Sequence, residues 1–301
     1  MMFRTKKQKE QIANDLVEMS RRKSQASEIF ARLLRNKLGM VGFIIIIALL
    51  VLVIFAPLFT KFPYDLQSFP DRYIFPCKEH IMGTDNFGRD MWSRLLYGGR
   101  VSLLVALVAI AISGGIGITV GAIAGYYGGR LDNTITRILD VLMAIPALLM
   151  AIAVSSALGS GPLKTALAIA ISGIPYSARV MRSAVMTIRG NEFIEAAVAT
   201  GSTNRRIIFK HVLPNTIAPL IVSATLDIGG NIMAISGLSF VGLGVQPPTP
   251  EWGSILSASR TYILDYPYMV IFPALFIALT IFGFNILGDA LRDALDPRLR
   301  D

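Results

Sequence analysis

The sequence predicts an all-α, polytopic membrane protein. Its 301 residues are 53% hydrophobic and only 16% charged, with a mean hydropathy of +0.57. A soluble domain carries about a quarter charged residues. The apolar residues are laid out in long uncharged runs, and a helix needs roughly 20 such residues to cross about 30 Å of hydrocarbon at 1.5 Å per residue. Lipid cannot satisfy the open edges of a sheet, so these runs read as helices.

Residues 1–37 are polar and basic. The apolar run after them is too long for the core of a cleavable signal, so a cytoplasmic N-terminal segment is expected. A first span is expected within 38–60, its uncharged run covering 38–59, followed by an extracytoplasmic segment at 61–100. A core of five further spans then occupies 101–288: 101–126, 138–158, 165–178, 216–238 and 269–287. A tail follows at 289–301. Six spans put the N-terminus, the 127–137 loop, the 179–214 loop and the tail on one face, which holds 21 of the 29 lysines and arginines. That bias predicts both termini in the cytoplasm.

The net charge of +9 raises the question of nucleic acid. The basic residues flank apolar runs and form no single stripe, so no nucleic-acid partner is expected. Cys77 is the single cysteine, which excludes an internal disulfide. Gly117, Gly121 and Gly125 recur every four residues, a spacing that lets two helix backbones approach closely in lipid. We read them as a packing face.

The most informative segment is 190–215, within which residues 192–215 read EFIEAAVATGSTNRRIIFKHVLPN. It is too polar to span a membrane. Residues 193–200 predict a short helix that Gly201 ends, because glycine accepts the left-handed conformation of a C-terminal cap. Ser202 is expected to cap a second helix through Arg205, Ile208 and Val212, and Pro214 to stop it. The result is a helix–turn–helix knuckle between two spans.

This segment resembles the EAA loop of binding-protein-dependent ABC importer permeases. That pattern is Glu-Ala-Ala, three residues, Gly, nine residues, then Ile-x-Leu-Pro. Glu195, Ala196, Ala197, Gly201, Leu213 and Pro214 stand at the matching positions. His211 replaces the isoleucine, and a His-x-Leu-Pro-Asn ending is similar to the peptide and nickel branch. Four more segments resemble C-type subunits of oligopeptide/dipeptide permeases: 35–39 (RNKLG), 80–90 (HIMGTDNFGRD), 238–253 (LSFVGLGVQPPTPEWG) and 288–298 (GDALRDALDPR).

The resemblance implies a type I ABC importer permease fold in the cytoplasmic membrane. The implied partners are a paralogous permease subunit, two ATP-binding subunits and an extracytoplasmic solute-binding protein. ATP and Mg would be bound by the ATPase subunits, leaving this chain without a cofactor. Peptides are the implied solute, with nickel, a metal chelate or glutathione as alternatives. At the knuckle, Glu195 would pair with a partner arginine, the two alanines would let the helix lie in a partner cleft, and Gly201 would fix the angle between the helices.

Residues 159–165 mimic a P-loop, but Leu163 stands where glycine must precede the lysine. His80 and His211, the two histidines, are predicted on opposite faces, so no histidine-based triad can form. Cys77 and His80 lie three apart, yet zinc needs three or four ligands and no second cluster exists. The chain is therefore not expected to be an enzyme. Asp85, Gly88, Arg89 and Asp90 suit either docking of a binding protein or a cap over the bundle.

Inside the spans, Asp227 and Asn231 lie four apart on one helix face. They either line a solute path, with Asp227 meeting a peptide ammonium, or hold helices together by hydrogen bonds. Asp140, Asn285 and Asp289 lie near membrane boundaries and are expected to anchor helix ends or cytoplasmic contacts. An ion-coupled secondary transporter would predict paired broken helices in two repeat halves, which the sequence does not display. A membrane scaffold would leave the EAA-like loop without a role.

Overall fold

A computed structural model describes residues 31–295. The N-terminal segment and the end of the 288–298 resemblance lie partly outside them. Among the described residues the regular elements are all helices, apart from one isolated bridge between Thr84 and Asp90.

Helix α1 (Lys37–Ile54) starts where the Asn36 side chain accepts a hydrogen bond from the Gly39 amide at 3.0 Å. This N-cap gives the RNKLG segment a physical role. At its far end, Arg100 donates to the Val53 and Ile54 carbonyls at 2.8 and 2.6 Å, satisfying acceptors that a helix end leaves open. After a single turn, Ala56–Phe59, the chain enters the largely irregular cap segment.

Helix α2 (Met91–Tyr127) is 37 residues long, about 55 Å at the helical rise. It begins ten residues before the expected start at 101. The extra turns carry the buried Arg94, whose charge is answered by Asp85 of the cap, and the buried Ser93, whose amide donates to Asp90. Helices α3 (Gly129–Met143) and α4 (Ala147–Leu158) replace the expected span at 138–158; they meet at an 84° bend. Pro146 explains the break, since proline lacks a donor and disfavours helix in the residue before it.

Helix α5 (Pro162–Ile188) contains Pro175 and runs ten residues beyond the expected end at 178. The knuckle follows as α6 (Glu192–Ala199) and α7 (Asn204–Ile207). A π-turn at Ile208–Val212 leads without interruption into α8 (Leu213–Phe240). A loop leads to α9 (Trp252–Ser259), and α10 (Tyr268–Leu295) closes the described chain.

Among the described residues four helical stretches are long and apolar enough to span, namely α1, α2, the continuous 204–240 helix and α10; the bent α3–α4 pair makes five. The expected count of six is not reached by length and composition. Helix α5, which covers the expected span at 165–178, carries Lys164, Arg179 and Arg182. Helix α2 packs along it more extensively than any other pair of helices does.

Two apolar cores result. The larger joins α1, α2, α8, α9 and α10, with the N-terminal part of α5 and Ala151 of α4, around the fully buried Trp252. The smaller joins the C-terminal parts of α2 and α5 to the knuckle.

Candidate functional site

The knuckle is built by local rules. Gly201 has φ 75, its amide donates to Val198 O at 2.9 Å, and the Ser202 amide donates to Ala197 O at 3.1 Å. That pair of bonds is a Schellman ending. A side chain at Gly201 would meet open space, so the demand for glycine there is one of backbone conformation.

Two local expectations are corrected. Thr203, and not Ser202, caps α7, accepting from the Arg206 amide at 3.4 Å. Pro214 does not stop the helix. It sits in the first turn of α8, where the π-turn has already shifted the bonding pattern to Leu213 N with Ile208 O.

The EAA residues point in different directions. Ala197 is buried with Ile194 against Met181, Val185, Ile207 and Ile208. It is therefore not free to enter a partner cleft, contrary to the expectation for both alanines. A helix turns 100° per residue, so neighbours cannot share a narrow face. Glu195 and Ala196 are exposed, beside the exposed Phe193, Val198 and Phe209. His211 and Leu213 are half-buried, Pro214 is exposed, and the His211 carbonyl accepts from Asn215 Nδ2 at 2.6 Å.

The glycine stripe joins this knuckle to the middle of the bundle. A Cβ at Gly117 would lie 2.5 Å from Ser177 Cβ, at Gly121 2.8 Å from Met181 Cβ, and at Gly125 2.9 Å from Arg182 O. The α2 and α5 backbones are thus in direct contact. On the other side of α5, Arg182 binds Asp132 of α3 through Nε at 2.5 Å and Nη2 at 2.7 Å. Arg179 Nη2 binds Asp140 at 2.5 Å, which gives Asp140 an interhelical role.

Where α2, α5 and α8 diverge lies a cavity of about 230 Å³. Ser113, Gly114 and Gly115 of α2, Ser177 of α5, and Ser223 and Asp227 of α8 line it. Asp227 is half-buried and accepts from Ser223 Oγ at 3.3 Å. Asn231 does not line the cavity, and its Nδ2 donates to Ala106 O at 3.5 Å. The two residues expected on one path-facing side thus have separate surroundings.

The opposite end of α2 carries the cap. Asp85 accepts from the Phe87 and Arg89 amides at 2.8 and 3.0 Å and from Arg89 Nε at 2.7 Å, with Arg94 Nε at 3.5 Å. Asp90 caps α2 through the Ser93 amide at 2.8 Å and meets His80 Nδ1 at 2.9 Å. Tyr268 Oη donates to Thr84 O at 2.7 Å and ties the cap to α10. Outside the spans, Tyr262 hydrogen-bonds the Tyr73 phenol and holds its pKa above the ordinary value.

Sequence reasoning missed a second knot. Glu251 is 1% exposed and accepts from Ser102 Oγ, Ser239 Oγ and the Gly253 and Ser254 amides at 2.8–2.9 Å. A carboxylate just ahead of a short helix was its available signal. The Asp132–Arg182 pair was missed because its members are 50 residues apart.

Residues 117–301 match the family described as binding-protein-dependent transport system inner membrane component. The chain belongs to that family. Residues 24–76 also match the N-terminal transmembrane domain of oligopeptide transport permease C. As an inner membrane permease component, the chain is a transport protein and not itself an enzyme.

The dipeptide transport system permease protein DppC of Alkalihalophilus pseudofirmus is 47% identical over 273 residues, covering 91% of this chain and 90% of that protein. The glutathione transport system permease protein GsiD of Escherichia coli O157:H7 is 39% identical over 99% of both chains. The oligopeptide transport system permease protein OppC of Bacillus subtilis is 37% identical over 96% of this chain and 95% of its own. Among solved structures, a chain of the inward-facing MetNI methionine ABC transporter aligns with TM-score 0.57 at 19% identity, covering 68% of this chain and 98% of that one. That likeness concerns the fold, which is an ABC importer permease fold.

Proposed function

We propose that this chain is one permease subunit of an ATP-driven importer that carries di- or oligopeptides across the cytoplasmic membrane. The observation that carries the reading is the knuckle. The 190–215 loop folds into a short helix set by a Schellman turn at Gly201, anchored through Ile194 and Ala197 and exposing Glu195 and Ala196. This is a stiff contact through which an ATPase subunit can push on α5 and α8. The peptide assignment is supported by relatives named for dipeptide and oligopeptide transport. Glutathione, named for another relative, is itself a tripeptide and stays within that class.

In this reading two ATP-binding subunits hold ATP and Mg, a paralogous permease completes the pathway, and a solute-binding protein delivers cargo. Glu195, Ala196, Gly201, His211, Leu213 and Pro214 form or shape the ATPase contact, and Ala197 supports it from beneath. The chain crosses the membrane six times, with α5 as the crossing that composition conceals, and both ends lie in the cytoplasm.

The test is reconstitution with all partners and a labelled dipeptide. Uptake should require ATP, the binding protein and both ATPases. Gly201→Asp should insert and assemble but lose transport, since a side chain at positive φ costs about 1 kcal/mol or more and tilts α6. Uptake by this chain alone would refute the assignment, and full uptake by Gly201→Asp would refute the coupling role of the knuckle.

A further inference from the structure

The cavity beside Asp227 is chemically lopsided. Its walls are the hydroxyls of Ser113, Ser177 and Ser223, glycine backbone, and aliphatic side chains. Asp227 is its single ionisable group. An ionised carboxylate offers about four lone-pair sites for donors. Among the described residues Asp227 receives one hydrogen bond, the long one from Ser223 at 3.3 Å, and no ion pair. The arginines that follow Ser177 along α5 are committed elsewhere, Arg179 to Asp140 and Arg182 to Asp132. The space is therefore electronegative when Asp227 is ionised, and a half-buried carboxylate without a counter-charge is stabilised by a cation that visits it.

Size narrows the visitor. At about 230 Å³ the cavity holds several water-sized volumes of roughly 30 Å³ each, enough for an ammonium group and the backbone of one residue. A Cβ at Gly114 or Gly115 would meet nothing within 4 Å, so both positions border open space.

We infer that this cavity is a subsite for a primary ammonium group of the transported peptide, with Asp227 as its carboxylate partner and the serine hydroxyls as supporting acceptors. The inference rests on the peptide-permease reading above.

The first arm of the test does not depend on transport. In the assembled complex carrying Cys77→Ser, Ala224→Cys places a thiol on the cavity wall. A cationic methanethiosulfonate should modify it roughly tenfold faster than an anionic one, because a nearby unpaired charge steers ions by about that factor or more. With Asp227→Asn the two rates should converge. Absence of reaction, equal rates with Asp227 present, or a preference that survives Asp227→Asn would each overturn the subsite.

The second arm measures ATP-driven uptake of a dipeptide with a free amino terminus. Asp227→Asn should lower it at least about tenfold, the scale of losing one partner of a desolvated charge pair, and Asp227→Glu should restore part of it. Wild-type uptake by Asp227→Asn sinks the subsite alone. A wild-type complex that moves no peptide sinks the peptide reading, while the thiol result still judges the cavity.

Discussion

Glu251 is the residue on which the cap end most depends. Its carboxylate is nearly sealed from solvent and collects four donors from α2, α8 and the start of α9. Beside it, the Trp252 indole donates to Leu95 O at 2.8 Å. Replacing Glu251 by alanine strands two hydroxyls and two amides in an apolar setting, each orphan costing about 1–3 kcal/mol. We expect Glu251→Ala to lower the thermal midpoint of the purified protein sharply and Glu251→Gln to lower it less, since an amide oxygen still accepts. Equal midpoints for wild type and Glu251→Ala would show that the knot contributes nothing.

At the scale of elements, the α2–α5 seam sets how the knuckle and the cavity relate. A Cβ at Gly121 would run into the Ala178 carbonyl and stand 2.8 Å from Met181 Cβ. Gly121→Leu should therefore push the helices apart, at about 1–3 kcal/mol or more for overpacking. Gly230, on α8, faces open space, and Gly230→Ala should hold or raise stability by up to about 1 kcal/mol through helix propensity. Thermal unfolding in detergent checks both, and a Gly121→Leu variant as stable as wild type would contradict the close approach.

The seam was legible in the sequence because its signal is local: three glycines at a four-residue period. The Schellman turn was legible for the same reason. What was hidden depends on distant partners. The start of α2 was placed after Arg100 because charge looks like a boundary, yet Arg100 is occupied with the end of α1 and Arg94 with Asp85. The bend at Pro146 lay inside an apolar run whose hydropathy does not register direction. Ala197 turned inward because the core beneath the knuckle is assembled from α2, α5 and α8, which no single window contains.

For the whole molecule, composition gave the membrane class and the family motifs gave the machine, while the expected six crossings turn on α5. Helix α5 is covered by α2, α4 and α8, and a covered helix has no need to look apolar. If it is the sixth crossing, a protease-cleavable tag on the C-terminus should stay protected in intact cells and become cleavable when the membrane is opened. Cleavage in intact cells would place the C-terminus outside and, with the N-terminus inside, require an odd number of crossings.

The unbroken run from Asn204 to Phe240 has a mechanical meaning. It makes the second half of the knuckle and the wall bearing Asp227 parts of one rod. The 15 residues from Val212 to Asp227 form an arm of about 22 Å, so a tilt of roughly 10° at the knuckle swings Asp227 through about 4 Å. Pro219 stands partway along that arm. The stroke of the engine and the grip on the cargo would then be a single motion, geared by where the rod bends.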